Sequence, residues 1–136
     1  MANLITNSNN TTIFSDIDPD FTRNPKTGDL LLIKDERSIK KSLSNLLNTS
    51  FGERLFQPRI GVSLRNLLFE PIDAITTLEI RDRILSNIRN NEPRIHNVFV
   101  DVVANSDENE YRVSIEFSIL QTRISDRFLY VLERIR

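Results

Sequence analysis

The chain of 136 residues has no cysteine, only three glycines and a single histidine. Without cysteine, disulfides and thiolate metal sites are excluded, which favours assembly in a reducing compartment. So few glycines limit phosphate-binding loops, and neither glycine-rich nucleotide-binding pattern occurs. One histidine cannot form a histidine cluster. The formal net charge of −1 gives no electrostatic reason to expect nucleic acid as a partner.

Long apolar runs are also absent, so no stretch has the length that would span a bilayer. Residues 1–10 lack the basic and apolar segments of a signal peptide. Residues 1–12, rich in Asn, Thr and Ser, are predicted to be a flexible tail, and residues 13–136 a single domain. We expect no membrane, no nucleic acid, no small-molecule substrate and no cofactor.

Hydrophobic periodicity predicts three helices followed by strands. The helices run from Asp35 to about Ser50, from Ser63 to Phe69 and from Asp73 to Asn91. From Ile95 the period changes to two, which predicts an antiparallel hairpin, and residues 127–136 favour a third strand. Helices followed by strands, without βαβ alternation, predict an α+β fold with helices on one face of a small antiparallel sheet. The predicted core is Ile39, Leu43, Leu67, Leu78, Leu85, Val100, Val113, Ile115 and Phe117.

The corner between the long helix and the hairpin, Glu92-Pro93-Arg94, carries one charge of each sign around a proline. Proline stops a helix because it lacks the N–H donor and its ring clashes with the preceding turn. From these residues alone, an ordinary helix stop with an incidental surface ion pair is the simpler interpretation. A docking site for a partner protein is the alternative, because an arginine fork suits carboxylates at interfaces.

Two other kinds of site are weakly indicated. A glycosidase needs two carboxylates, one with a raised pKa. Glu70, Glu92 and Glu116 qualify by residue type only, and Arg94 should lower the pKa of Glu92 rather than raise it. His96 would have to serve any serine–histidine–acid triad. Neither pattern therefore supports catalysis.

The alternating acids at positions 16, 18 and 20 imitate the start of a calcium-binding loop. That pattern needs glycine at its sixth position and glutamate at its twelfth, where the chain has Phe21 and Thr27. A solvated acidic turn explains these acids equally well, so no metal site is predicted.

Several stretches together resemble a known family, the baseplate wedge proteins, or sheath initiators, of contractile phage tails. Type VI secretion systems contain a homologous component. The resemblance covers about residues 13–120 and rests on Phe14–Pro19, Arg37–Leu43, Phe56–Gly61, Leu67–Glu70 and Asn91–Ile95. It is fairly specific because the Glu-Pro-Arg triplet stands between this helix and this hairpin.

The resemblance implies a structural, non-enzymatic role in the tail baseplate of a virion, assembled in the host cytoplasm. By position, Glu92, Pro93 and Arg94 would dock on the coiled-coil bundle of neighbouring wedge proteins. The sheet would resemble the interlocking domain of the tail sheath subunit. Its last strand, through Phe128, Tyr130 and Leu132, would template the first sheath ring by strand exchange. The tail tube is a further candidate partner. The family has also been labelled lysozyme-like, so a peptidoglycan-degrading glycosidase of the baseplate is the alternative function.

Overall fold

The computed structural model describes residues 14–120 and 124–134. Contacts within the chain divide it into two compact units, residues 1–38 and residues 39–136. The predicted tail at residues 1–12 lies outside the described residues, and a single domain over residues 13–136 stays a prediction. Within the described ranges, no helix is long and apolar enough to cross a membrane.

The first unit contains a short antiparallel ribbon. Strand β1 (Ser15–Ile17) pairs with strand β2 (Leu32–Lys34), which leads directly into helix α1 (Asp35–Asn48). Two of the alternating acids accept hydrogen bonds from within this unit. The Ser38 hydroxyl donates to Asp16, and the Asp20 N–H donates to Asp18 at 3.4 Å. Across the described residues, no group of three or more His, Asp or Glu side chains could hold a metal ion.

The second unit contains the rest of α1 and two further helices, α2 (Leu64–Leu67) and α3 (Ala74–Asn91). Asp73, the predicted start of the long helix, is the N-cap of α3, and its carboxylate accepts a hydrogen bond from the Thr76 N–H at 2.7 Å. This bond satisfies one of the free N–H groups of the first turn and lowers the pKa of Asp73. The buried side of α1 is formed by the predicted core residues Ile39 and Leu43 together with Leu46 and Leu47.

The buried face of α3 differs from the prediction. It is formed by Thr76, Ile80, Ile84, Asn87 and Ile88. Leu78 is 50% exposed and Leu85 is only half-buried, so the prediction that these two residues belong to the core was wrong. Three isoleucines spaced four apart set the face. Successive residues of an α-helix lie about 100° apart around its axis. Leu78, two positions before Ile80, therefore points about 200° away from Ile80.

Strands β3 (Ile95–Asn105), β4 (Glu110–Ile119) and β5 (Ser125–Glu133) form an antiparallel sheet in the order β3-β4-β5. The predicted hairpin and third strand are confirmed, as is the α+β fold class. The central strand alternates strictly and buries Tyr111, Val113, Ile115, Phe117 and Ile119. All predicted core residues outside α3 are buried.

Tyr111 is fully buried, and its hydroxyl lacks a hydrogen-bond partner within the part of the chain that the structure describes. Burial raises the pKa of this hydroxyl. Because an unpaired buried hydroxyl costs free energy, Tyr111→Phe is expected to raise the free energy of unfolding by about 1 kcal/mol in urea denaturation. The control is Tyr130→Phe, which removes a hydroxyl that donates to Asn48. This variant should lower the free energy of unfolding by about 1 kcal/mol. A clear loss of stability in Tyr111→Phe would contradict this account.

Candidate functional site

The backbone of the Glu92–Arg94 corner is held at both ends. The Glu92 N–H still donates to the Ile88 carbonyl of α3 at 2.9 Å, and Glu92 then leaves the helix at φ −123° and ψ 82°. Two residues later, the Arg94 carbonyl accepts a hydrogen bond from the Leu120 N–H at 3.0 Å, just beyond the end of β4. The proline between them is exposed. The corner is therefore fixed to the helix on one side and to the sheet on the other.

The two charges of the corner form an internal pair. Arg94 donates to both carboxylate oxygens of Glu92, from Nε to Oε1 at 2.6 Å and from Nη2 to Oε2 at 2.7 Å. The Ser42 hydroxyl of α1 donates to Oε2 at 2.6 Å. Glu92 is only 3% exposed. The interpretation as an incidental surface pair is therefore wrong, because one partner is buried and the contact is bidentate.

The environment of Glu92 keeps its carboxylate ionised. Burial is the largest single influence and would raise its pKa. The hydrogen bonds from Arg94 and Ser42, with the positive charge of Arg94, outweigh burial and lower the pKa below its ordinary value of 4.5. The predicted direction is confirmed. A carboxyl that is ionised at neutral pH and already accepts hydrogen bonds from Arg94 and Ser42 is a poor general acid for glycoside hydrolysis.

The side chains that the corner presents to solvent are those of Pro93 and, in part, Arg94, whose side chain is 21% exposed. Glu92 points inward and holds the guanidinium in position. Sequence reasoning missed Ser42, which lies fifty residues before Glu92. Its only sequence signal is its place on α1 next to the buried Leu43, which does not identify its partner.

The predicted residues of the last strand lie on the inner face of the sheet. Leu132 is buried, while Phe128 and Tyr130 are half-buried and stack with ring centroids 6.1 Å apart. The alternate side chains point the other way, with Leu129 70% and Val131 50% exposed. Strand β5 pairs with β4 along one edge, and no described strand pairs with its other edge. The accessible parts of β5 are therefore its outer side chains and this free edge.

The corner and the last strand occupy different parts of the sheet. The corner adjoins the end of β4 at Ile119 and Leu120, whereas Leu132 lies opposite Tyr111 near the start of β4. Eight strand residues separate these points, about 27 Å at about 3.4 Å per residue. The structure thus pairs Glu92 with Arg94 and groups Phe128, Tyr130 and Leu132, as two separate candidate sites.

Solved structures similar to this fold include chains of two baseplates and a bacterial protein. A Geobacter sulfurreducens protein described as a tail lysozyme matches with a TM-score of 0.71 and 23% identity, over 78% of this chain and 96% of that one. A chain of the baseplate complex of the type VI secretion system matches at 0.64 and 14%, over 74% and 93%. A chain of the anti-feeding prophage baseplate matches at 0.56 and 19%, over 90% and 87%. The fold is therefore one found in contractile baseplates.

Sequence comparison identifies the family. The sequence profile of the family described as baseplate wedge protein gp25 matches residues 34–123. Baseplate wedge protein gp25 of Enterobacteria phage T4 is 35% identical over 108 residues, which span 79% of this chain and 81% of the phage protein. The chain belongs to the gp25 family of baseplate wedge proteins, as its resemblance indicated.

Proposed function

We propose that this chain is a structural, non-enzymatic component of a contractile tail baseplate wedge, located in the tail baseplate of a virion and assembled in the host cytoplasm. Family membership supports the baseplate role. The observation that carries the docking part of the proposal is the buried, bidentate Glu92–Arg94 pair. The bidentate pair fixes the conformation of the corner next to the exposed Pro93. A fixed conformation reduces the conformational entropy that is lost on binding.

In this proposal, the corner docks on the coiled-coil bundle of neighbouring wedge proteins. Pro93 and the exposed part of the Arg94 guanidinium make the contact, because Pro93 is exposed and the Arg94 side chain is 21% exposed. Glu92 acts as a positioning residue that orients Arg94 and compensates its charge. Ser42 supports Glu92 from α1.

Arg94→Lys tests this docking role. Lysine keeps a positive charge beside Glu92 but lacks the planar fork, so the fold should be retained while docking is lost. We expect the purified variant to unfold cooperatively, and we expect its incorporation into wedges co-expressed with partner proteins to fall at least tenfold. Arg112→Ala, which removes an exposed arginine and its ion pairs on β4, is the matched control and should assemble normally. Normal wedge incorporation of a folded Arg94→Lys variant would refute the docking role.

We further propose that β5 initiates the sheath. A strand with a free edge can accept a strand from another protein, with main-chain hydrogen bonds supplying affinity. This would let the sheath subunit extend the sheet, as the family resemblance implies. Because Phe128, Tyr130 and Leu132 face inward, their part is to hold β5 in place rather than to contact sheath through their side chains.

Proline substitutions along β5 test sheath initiation. Proline at a residue whose N–H faces β4 breaks the internal ladder, whereas proline at a residue whose N–H faces the free edge leaves the ladder intact. We expect stability to alternate along residues 127–131. The variants that remain folded should enter baseplates but fail to support sheath polymerisation, as seen by negative-stain microscopy. Normal sheath growth from those baseplates would refute strand exchange at this edge.

A peptidoglycan-degrading activity remains the alternative, because a protein of the same fold is described as a tail lysozyme. In this chain, Glu92 is held ionised by Arg94 and Ser42, and the Glu116 carboxylate accepts a hydrogen bond from Arg127. Turnover of purified peptidoglycan by the full chain tests the alternative. We expect no cleavage, and cleavage that Glu70→Gln, Glu92→Gln or Glu116→Gln abolishes would overturn the structural role.

A further inference from the structure

The segment between α1 and α2 forms a closed loop in the unit of residues 39–136. Its two ends are joined by a hydrogen bond from the Val62 N–H to the Thr49 carbonyl at 3.0 Å. A second bond, from the Gly52 N–H to the Pro58 carbonyl at 2.8 Å, closes the loop above this base. Compact surface loops whose ends meet are frequently functional. We call residues Phe51 to Arg59 the 51–59 loop.

The tip of the 51–59 loop holds large apolar side chains in solvent. Leu55 is 92% exposed and Phe56 is 97% exposed, while Phe51 is 56% exposed. A turn closed by the Gln57 N–H and the Arg54 carbonyl, at 3.2 Å, orders the backbone beneath them. Burying such side chains on a partner is favourable, and aromatic residues are enriched in interface cores. Because its backbone is already ordered, the loop loses little conformational entropy on binding.

The 51–59 loop and its continuation are basic within a chain that is acidic overall. Positions 51–65 carry three arginines, Arg54, Arg59 and Arg65, against one acid, Glu53, a net charge of +2 where the whole chain has −1. None of these arginine side chains makes an ion pair or hydrogen bond within the described ranges 14–120 and 124–134. Their charge is therefore available to carboxylates of another molecule.

A groove of about 860 Å³ is lined by residues of this loop and of α3. Its lining includes Phe51, Arg59, Val62, Asn87, Asn90 and Asn91. The acids that also line it are already paired within α3, Glu79 with Arg83 at 2.6 Å and Asp82 with Arg81 at 3.1 Å. Since residues 90 and 91 immediately precede the Glu92–Arg94 corner, the groove extends that surface toward the loop.

We propose that the 51–59 loop and this groove bind an acidic, amphipathic segment of a neighbouring wedge protein. Its apolar side chains cover Leu55 and Phe56, and its carboxylates pair with Arg54 and Arg59. This inference rests on the proposed wedge function and adds a second contact surface to the corner. The complementary charges of these arginines and of the partner carboxylates favour an acidic partner and fix the orientation in which it binds.

The charge of the loop disfavours two other occupants. A symmetric contact between two copies would place the arginines of one loop against those of the other, because such an interface uses the same patch twice. Recognition of anionic membranes commonly uses clusters of about four to eight basic residues, more than the three arginines here. An acidic protein segment remains as the occupant that satisfies both the apolar and the basic groups.

Site-specific photocrosslinking in the co-expressed wedge tests this inference. A photoreactive amino acid replaces Phe56 in the full chain, and the matched control places it at Phe99, an exposed phenylalanine on the outer face of β3. We expect position 56 to crosslink to one segment of a different wedge protein, rich in Asp and Glu, and position 99 not to reach that segment. The double variant Arg54→Glu/Arg59→Glu should reduce the crosslink at least tenfold while the circular dichroism spectrum stays unchanged.

The outcomes separate this inference from the wedge function. If the unsubstituted chain fails to enter any wedge, both proposals are overturned. If it enters the wedge but position 56 crosslinks to a second copy, to phospholipid or to nothing, the loop inference is overturned and the wedge function stands. A crosslink that survives the double arginine variant would equally rule out the acidic partner.

Discussion

Arg94→Ala is expected to lower the free energy of unfolding by about 3 kcal/mol or more near neutral pH, the size seen when one partner of a buried ion pair is removed. The substitution deletes both hydrogen bonds to Glu92 and leaves a carboxylate that is 3% exposed with Ser42 as its remaining side-chain donor. Urea denaturation of the purified chain measures the loss. Arg83→Ala removes an exposed pair with Glu79 and should cost about 0.5 kcal/mol or less. Equal losses from the two variants would contradict a buried pair.

The pH dependence of Arg94→Ala identifies the cause of its instability. In the parent chain the folded-state pKa of Glu92 is lowered, so its stabilisation is fully present above the ordinary value of 4.5. That stabilisation is lost as the pH falls through the lowered pKa. Without Arg94, burial should raise the pKa of Glu92, and the carboxyl then becomes neutral at milder acidity. The stability difference between parent and variant should therefore narrow as the pH falls below about 5, and a constant difference would point to another cause.

Gly61→Ala is expected to cost about 3 kcal/mol or more, because positive-φ strain and a steric collision occur at the same residue. Gly61 has φ +133°, and a Cβ there would lie 2.5 Å from the Thr49 carbonyl oxygen. Its own carbonyl also accepts a hydrogen bond from the buried Asn87 side chain. Thermal unfolding of the full chain measures the effect.

Gly52→Ala is the matched control for this prediction. Gly52 also has a positive φ, +81°, but a Cβ there would meet nothing within 4 Å. Its substitution should therefore show backbone strain alone, about 1 kcal/mol. If both variants lost the same stability, the close approach at the base of the 51–59 loop would not be what makes Gly61 necessary.

Local patterns in the sequence were sufficient for most of the fold. The start predicted at Asp73 and the stop predicted at Pro93 agree with the observed ends of α3. Both residues act through the backbone of their immediate neighbours. Strict alternation from Tyr111 to Ile119 gave β4 and its buried face, because a strand places successive side chains on opposite sides. These features depend on short-range chemistry, which the sequence displays directly.

Features that depend on tertiary contacts could not be predicted in the same way. Leu78 and Ile80 are equally apolar, and only packing against the rest of the unit leaves the first exposed and buries the second. The hydrogen bond from Ser42 to the buried Glu92 likewise requires α1 and the corner to meet in space. The exposed Phe56 lies in an irregular segment without hydrophobic periodicity. No pattern in the sequence therefore indicated which side chains of this segment face solvent.

The most direct test of the central claim is a cryo-EM structure of the baseplate assembled with this chain. The account predicts that Pro93 and the outer edge of the Arg94 guanidinium contact a neighbouring wedge protein, with the Glu92–Arg94 pair intact beneath them. A baseplate that contains the chain but leaves this corner in solvent would contradict it.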